Sequence, residues 1–267
     1  MPSRFIATSF RSMLLFFLLT GSAVKSDELT LAVALGLSQQ QAAQAYEPLL
    51  AYLAQATGRE IRLETSVNIL AHWQLMRLEG YDIVIDAPAF TAYRAARMDY
   101  TVVAKLPDVL SFTLASHVDF GILDPSELIG RRVASQPSPA LGALGLINLF
   151  PDSVRQPHIV PVDTHVEAAQ SAMDKRTVGA MLPTSLMANF PDLVPVYTTE
   201  QLPAPGISVS SRVSPELRER IRQAMLNAQN SSTGRAMLEA LNVPNLEPAD
   251  NGTYQGIETM LEGVWGY

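Results

Sequence analysis

Residues 29–97 alternate short aliphatic runs with longer stretches of helical periodicity, and near residue 131 the same alternation begins again. Strand–helix alternation builds a sheet flanked by helices, so two rounds of it predict two α/β units. The first round reads as a strand at 29–35, a helix carrying Ala42, Tyr46, Leu49, Leu50 and Leu53 on one face, and a stop at Gly58. A strand at 60–65, a helix with Ile69, Trp73 and Met76 inward, a strand at 82–86 and a helix at 88–97 follow. Ser38 with Gln41 has capping-box spacing for the first helix, and Ser66 is the expected cap of the second. Pro48 either kinks the first helix or marks its first turn.

The second round has strands at 131–135, 158–162 and 178–182, with helices at 139–150 and 164–175 between them. An extended stretch at 106–115 leads into this unit, and the Pro/Gly-rich stretch 202–207 leads back out. Helices beginning at Ser214-Pro215 and near 234–241 and 253–261 close the chain. Two units joined by two crossings enclose a cleft, a favoured place for small ligands. The chain accordingly divides into a leader (1–26), a first lobe (27–107 with 206–267) and a second lobe (108–205).

The leader has the export pattern. Arg4 and Arg11 precede the apolar run Met13 to Leu19, and small residues follow at Gly21, Ser22 and Ala23. The run is too short to span a bilayer stably, and cleavage after Ala23 or after Ser26 fits, with an uncleaved anchor as the competing reading. The chain contains no cysteine, which excludes a lipid-anchored cysteine, a Cys nucleophile and disulfide stabilisation. Net charge is −7, and loss of Arg4, Arg11 and Lys25 with the leader makes the remainder more acidic still. An acidic surface disfavours nucleic acid and anionic membranes and favours solubility.

In open α/β sheets, ligands sit beyond the carboxyl ends of strands, where helices begin. Those junctions here are Gly36-Leu37-Ser38, Asp86-Ala87-Pro88, Ser135-Gln136-Pro137-Ser138-Pro139, Asp163-Thr164-His165 and Leu182-Pro183-Thr184-Ser185. Ser138 before Pro139 reads as a helix cap with proline at the first helical position, and Thr164 with Glu167 as a capping box. None of the five junctions holds Lys or Arg. An oxyanion there would be held by backbone N–H groups, hydroxyls and an imidazole. Five or six charge-assisted hydrogen bonds of about 1.5–3 kcal/mol each would sustain a micromolar complex, about −8 kcal/mol, after ordering costs. Capping of its own helix is the competing role for each Ser and Thr.

His72, His117, His158 and His165 lack metal spacing, so no metal or cofactor is expected. His165 opens a helix facing the cleft, whereas His72 beside Trp73 reads as partly buried helix surface. Asp86 and Asp163 end strands at the cleft, with turn capping preferred over acid–base chemistry. Phe90 and Tyr93 either wall the cleft or pack in the core. Gly142 and Gly145 make no dinucleotide or P-loop pattern, and no G-x-S-x-G elbow occurs, so no complete catalytic set is present.

The segments Tyr46-Glu47-Pro48-Leu49-Leu50, Tyr81-Asp82-Ile83-Val84-Ile85-Asp86-Ala87-Pro88, Thr164-His165-Val166-Glu167 and Pro248-Ala249-Asp250-Asn251-Gly252-Thr253-Tyr254 resemble the phosphate/phosphite/phosphonate-binding proteins of ABC importers. The resemblance covers essentially the whole chain after the leader. It implies a type II periplasmic binding fold: two α/β lobes, each a mixed sheet flanked by helices, hinged by two crossover strands. It places His165 where the family has a ligand-contacting histidine. The family's serine/threonine-rich loop is degenerate at 135–142, although Ser138 survives. The acidic group of aminoalkylphosphonate binders is replaced by Leu182-Pro183-Thr184.

These readings together predict a periplasmic, monomeric, non-enzymatic protein that captures a small oxyanionic or polar solute for an ABC permease. The expected contacts are Ser38, Ala87, Phe90, Tyr93, Ser135, Ser138, His165 and Thr184. A sensing module for a periplasmic receptor or histidine kinase is the alternative, and an enzyme on the same scaffold a third.

Overall fold

The computed structural model describes residues 28–33, 39–78, 80–264 and 267. The leader, its cleavage sites, the tail of the first strand, and the Ser38–Gln41 capping box with Ser38 itself lie outside the described residues or their described side chains.

The chain runs β1 (Glu28–Val33), α1 (Gln39–Thr57), β2 (Glu60–Thr65), α2 (Ile69–Leu78), β3 (Ile83–Asp86), α3 (Pro88–Arg97) and β4 (Tyr100–Lys105). A short β5 (Val109–Leu110) precedes β6 (Phe112–His117), β7 (Arg132–Ser135), α4 (Leu141–Leu149), β8 (His158–Pro161), α5 (His165–Met173), β9 (Gly179–Pro183) and β10 (Leu193–Thr198). The return passes through β11 (Leu202–Pro203) to β12 (Gly206–Ser210), α6 (Pro215–Leu226) and α7 (Ser232–Ala240).

These strands form two five-stranded sheets, β2-β1-β3-β12-β4 and β8-β7-β9-β6-β10, with β5 and β11 paired between them. The sheets share one plan. In the first, β1 is parallel to β2 and β3, while β12 runs antiparallel to β3 and β4. In the second, β7 is parallel to β8 and β9, while β6 runs antiparallel to β9 and β10. Each sheet therefore takes one strand, β12 or β6, from chain that has just crossed from the other lobe. This is why the sequence pattern restarts: each unit is the same supersecondary structure built twice.

Each sheet has its own apolar core. Leu49 and Leu53 of α1 and Ile221 and Met225 of α6 are fully buried against Leu31, Ile83 and Ile207, each worth about 1.5–3 kcal/mol of transfer free energy. Ala168, Ala169 and Ala172 of α5 lie against Ala134, Ala180 and Leu182, where the small side chains let helix and sheet approach closely. A third cluster joins the lobes, with Trp73, Met76 and Phe90 on one side and Phe112, Leu114, Leu141 and Met181 on the other. At Gly206 any Cβ would collide with Thr91 and come within 3.1 Å of Tyr254 Cζ. Glycine there lets β12 lie close under α3, beside the crossing.

The structure departs from the sequence reading in several places. The stretch 106–115 holds the short crossing strand β5 and the start of β6, an interior strand of the second sheet, and β4 and β10 are strands that the sequence pattern does not show. Both are edge strands, for which only packing against one neighbour leaves a pattern. The end of the chain forms single 3-10 turns at Asn251–Tyr254 and Ile257–Leu261 instead of a helix. Helix α4 starts at Leu141 with Ala140 as its N-cap, so Ser138 does not cap it. A turn closed by Ala140 N–H to Pro137 O (3.0 Å) occupies the intervening residues. Asn68, not Ser66, caps α2, its Oδ1 accepting from Ala71 N at 2.8 Å.

Candidate functional site

The carboxyl ends of the parallel strands open on one cavity of about 340 Å³ between the sheets. Val33 of β1, Ile85 and Asp86 of β3, and Ala87 and Phe90 at the start of α3 line it from one side, with Tyr46 and Ile69 above them. Phe112, Gln136, Pro139, Ala140, Leu141, His165 and Pro183 face them from the second sheet. Leu106, Leu110 and Pro205, in and beside the crossing strands, close the hinge side. The cavity therefore draws on both lobes and on the connection between them, as a closing cleft requires.

Two helices begin at this cavity without a side-chain cap. The N-cap of α3 is Ala87 and that of α4 is Ala140, and neither can accept a hydrogen bond through its side chain. The helical ladders start with Thr91 N–H to Ala87 O (2.9 Å) and Leu144 N–H to Ala140 O (3.0 Å). The amides before them, Ala89 and Phe90 in α3 and Leu141, Gly142 and Ala143 in α4, are first-turn donors with no intrahelical acceptor. Pro88 and its missing N–H cost α3 nothing at the first position. Helix α5 differs: Thr164 Oγ1 accepts from Glu167 N at 3.1 Å, and Glu167 Oε2 accepts from Asp163 N at 3.1 Å.

The carboxylate on the cavity wall is already committed. Asp86 Oδ1 accepts from His72 Nε2 at 2.7 Å, and Oδ2 accepts from Arg94 Nε. Burial alone would raise the Asp86 carboxyl, but the Arg94 and His72 charges and their hydrogen bonds outweigh it and hold it at about 2. Arg94 lies over the rings of Tyr100 and Tyr81, 5.1 and 5.8 Å from their centroids, which gives its two unbonded Nη atoms an aromatic surface. Ser66 Oγ lies 3.4 Å from His72 Nδ1. This Ser–His–Asp sequence of contacts is a buried clamp, and neither Ser66 nor His72 lines the cavity. Asp86 thus ties β3 to α2 and α3 instead of capping a turn, and His72 is core, not partly buried helix surface.

His165 lines the cavity with its ring edge-on to Phe112, centroids 5.6 Å apart. Burial lowers its pKa, so the imidazole is neutral near pH 7. Its Nδ1 is buried without a partner. An unpaired lone pair costs less than an unpaired N–H, which favours the tautomer protonated on Nε2.

The expected contact residues separate into two groups. Ala87, Phe90 and His165 line the cavity. Tyr93, Ser135, Ser138 and Thr184 do not. Tyr93 packs against Trp73 and Tyr267. Ser135 is buried and donates to Gln136 O at 3.0 Å. Ser138 faces another cavity of about 290 Å³ with Pro137, Leu146 and Ile147. Thr184 accepts from Ser111 Oγ at 2.9 Å and lies 3.0 Å from Thr113 Oγ1, in a chain of hydroxyls. Tyr46, Phe112 and Gln136 line the cavity without having been singled out. Tyr46 belongs to the apolar stripe of α1, and Phe112 opens β6 inside the extended stretch 106–115.

Two α/β lobes, joined by paired crossing strands and holding a cavity between their strand ends, define a type II periplasmic binding fold. The chain belongs to the family described as ABC transporter, phosphonate, periplasmic substrate-binding protein, whose profile matches residues 31–254. Members of that family are solute-binding components of importers, not enzymes. Among solved structures, a Xanthomonas citri protein bound to ATP superposes with a TM-score of 0.75 at 14% identity, over 90% of this chain and 97% of its own. PhnD1 from Prochlorococcus marinus in complex with methylphosphonate gives 0.72 at 12% identity, over 89% and 98%. The binding component of a Pseudomonas aeruginosa ABC phosphonate transporter gives 0.71 at 14%, over 87% and 85%. No curated relative matches the chain by sequence.

Proposed function

We propose that this protein is exported by its 1–26 leader and captures a small solute carrying an oxyanionic or strongly polar head in the cleft between lobes 27–107 with 206–267 and 108–205. The loaded form then delivers the solute to an ABC permease. The observation that carries this reading is the pair of uncapped helix ends, α3 from one lobe and α4 from the other, at a single cavity. Each presents unbonded amides and the positive end of a helix dipole, and one oxyanion between them satisfies both and draws the lobes together. No Lys or Arg is among the described residues lining the cavity, so the backbone supplies the polarity. The hydroxyl contribution expected of Ser135, Ser138 and Thr184 is not needed for this arrangement.

The test is thermal unfolding with and without methylphosphonate, phosphite, phosphate and simple organic acids. A ligand at 100 times its Kd stabilises by about 2.7 kcal/mol, which raises the Tm of a domain of this size by roughly 5–10 °C. The absence of a rise with every oxyanion would remove this reading.

A further inference from the structure

The lining of the cleft restricts what the rest of the solute can be. Of the 17 described residues around the cavity, only Tyr46, Asp86, Gln136 and His165 are polar, so beyond the helix ends the wall is hydrocarbon. Two of those four are engaged inside the protein, Asp86 at both oxygens and Gln136 at one amide N–H. Both oxygens of Asp86 are taken by His72 and Arg94, and Gln136 Nε2 donates to Asp163 O at 2.7 Å. An ammonium group entering the cleft would find no free carboxylate among the described residues. To recruit Asp86 it would have to leave the buried Arg94 uncompensated, which is strongly unfavourable. A second hydroxylated or fully hydrated oxyanion face, as in inorganic phosphate, would meet Phe90, Leu110 and Phe112 without hydrogen-bond partners.

We infer that the cleft selects an amine-free solute with one oxyanionic head and an apolar body, a ring or a branched chain, which packs against Phe90, Leu110, Phe112 and Leu141. This rests on the solute-binding reading above and narrows it to a substrate class. Phe112 and Leu141 also line a neighbouring cavity of about 630 Å³, so they form the wall between two spaces. A body that outgrows the first space meets Phe112 as its limit.

The test is isothermal titration of the protein with phenylphosphonate, methylphosphonate, 2-aminoethylphosphonate and inorganic phosphate under one buffer. Phenylphosphonate is expected to bind at least tenfold more tightly than 2-aminoethylphosphonate and phosphate. Phe112→Leu is expected to weaken phenylphosphonate about tenfold and methylphosphonate less than twofold. Equal or tighter binding of 2-aminoethylphosphonate or phosphate overturns the substrate class and leaves the solute-binding reading standing. Equal losses for both ligands in Phe112→Leu overturn the packing of the body on that ring. No heat with any of the four overturns the substrate class, and if phosphite and simple organic acids also give no thermal shift the solute-binding reading falls with it.

Discussion

His72 Nε2 lies 2.7 Å from Asp86 Oδ1, and the two side chains expose only 2% and 1% of their surface. With Arg94 on the other oxygen, the contact joins the end of β3 to α2 and α3, where the cleft begins. A strand ending in a carboxylate beside a binding cavity invites a ligand-binding assignment. Here the carboxylate sets the position of the wall instead.

Removing the charge at Asp86 is therefore expected to damage stability before it affects specificity. Asp86→Asn keeps the shape but leaves Arg94 as an unpaired buried cation, at a cost of about 3–5 kcal/mol. The exposed pair Arg222–Glu219 provides the contrast, since the two side chains expose 40% and 57% of their surface. Arg222→Met is expected to cost about 0–1 kcal/mol. Urea unfolding of both variants measures the difference, and similar losses would mean that the buried network is not the clamp described.

The same network predicts an acid limb. Asp86 titrates at about 2 in the folded protein against 3.8 without perturbation. Between those values the unfolded chain holds the extra proton, so stability rises with pH across that window. The contribution of about 2–3 kcal/mol is complete above about pH 5 and is lost as pH falls towards 2. Stability curves measured from pH 5 to pH 2 should show this loss in the native protein, and a shallower slope in Asp86→Asn.

The fold was legible because burial writes itself into sequence periodically. The alternation of strands and helices fixed three parallel strands in each sheet, and the restart at residue 131 marked the second unit. The edge strands β4 and β10 left no comparable trace. The site was less readable for a specific reason. Ser135, Ser138 and Thr184 stand at strand ends, but at such ends a hydroxyl is as easily absorbed by Gln136 O, a turn or a neighbouring hydroxyl as offered to a ligand. The donors proposed for the solute are first-turn backbone amides of α3 and α4, which no side-chain letter announces. Arg94 does carry a sequence signal. A carboxylate in the aliphatic strand Ile83–Asp86 needs a counter-charge, and the helix that follows brings one eight residues later.

His165 separates stability from binding. Its Nδ1 is buried without a partner, and a buried unsatisfied polar atom costs about 1–3 kcal/mol. His165→Phe removes that atom and keeps a ring against Phe112. The unliganded protein is expected to be unchanged or more stable by about 1 kcal/mol, while the thermal shift given by an oxyanion shrinks. An undiminished shift would place His165 outside the binding contacts.

Capping the helix at the cleft offers the most direct contest between protein and solute. Ala140 has the extended φ and ψ of an N-cap (−62° and 143°) and lines the cavity. Ala140→Asp would place a carboxylate on the first-turn amides of α4, where Ala to Asp at an N-cap is worth typically ~1 kcal/mol. The unliganded protein should then melt about 2–4 °C higher. Its carboxylate occupies the donors proposed for the solute, so the shift produced by methylphosphonate should disappear. Ser214, which caps α6 by accepting from Leu217 N, serves as the comparison because it does not line the cavity. Ser214→Ala should lower the melting temperature by a similar amount and leave the methylphosphonate shift intact. A stabilised Ala140→Asp protein that still responds to methylphosphonate would show that the amides of α4 do not hold the head group.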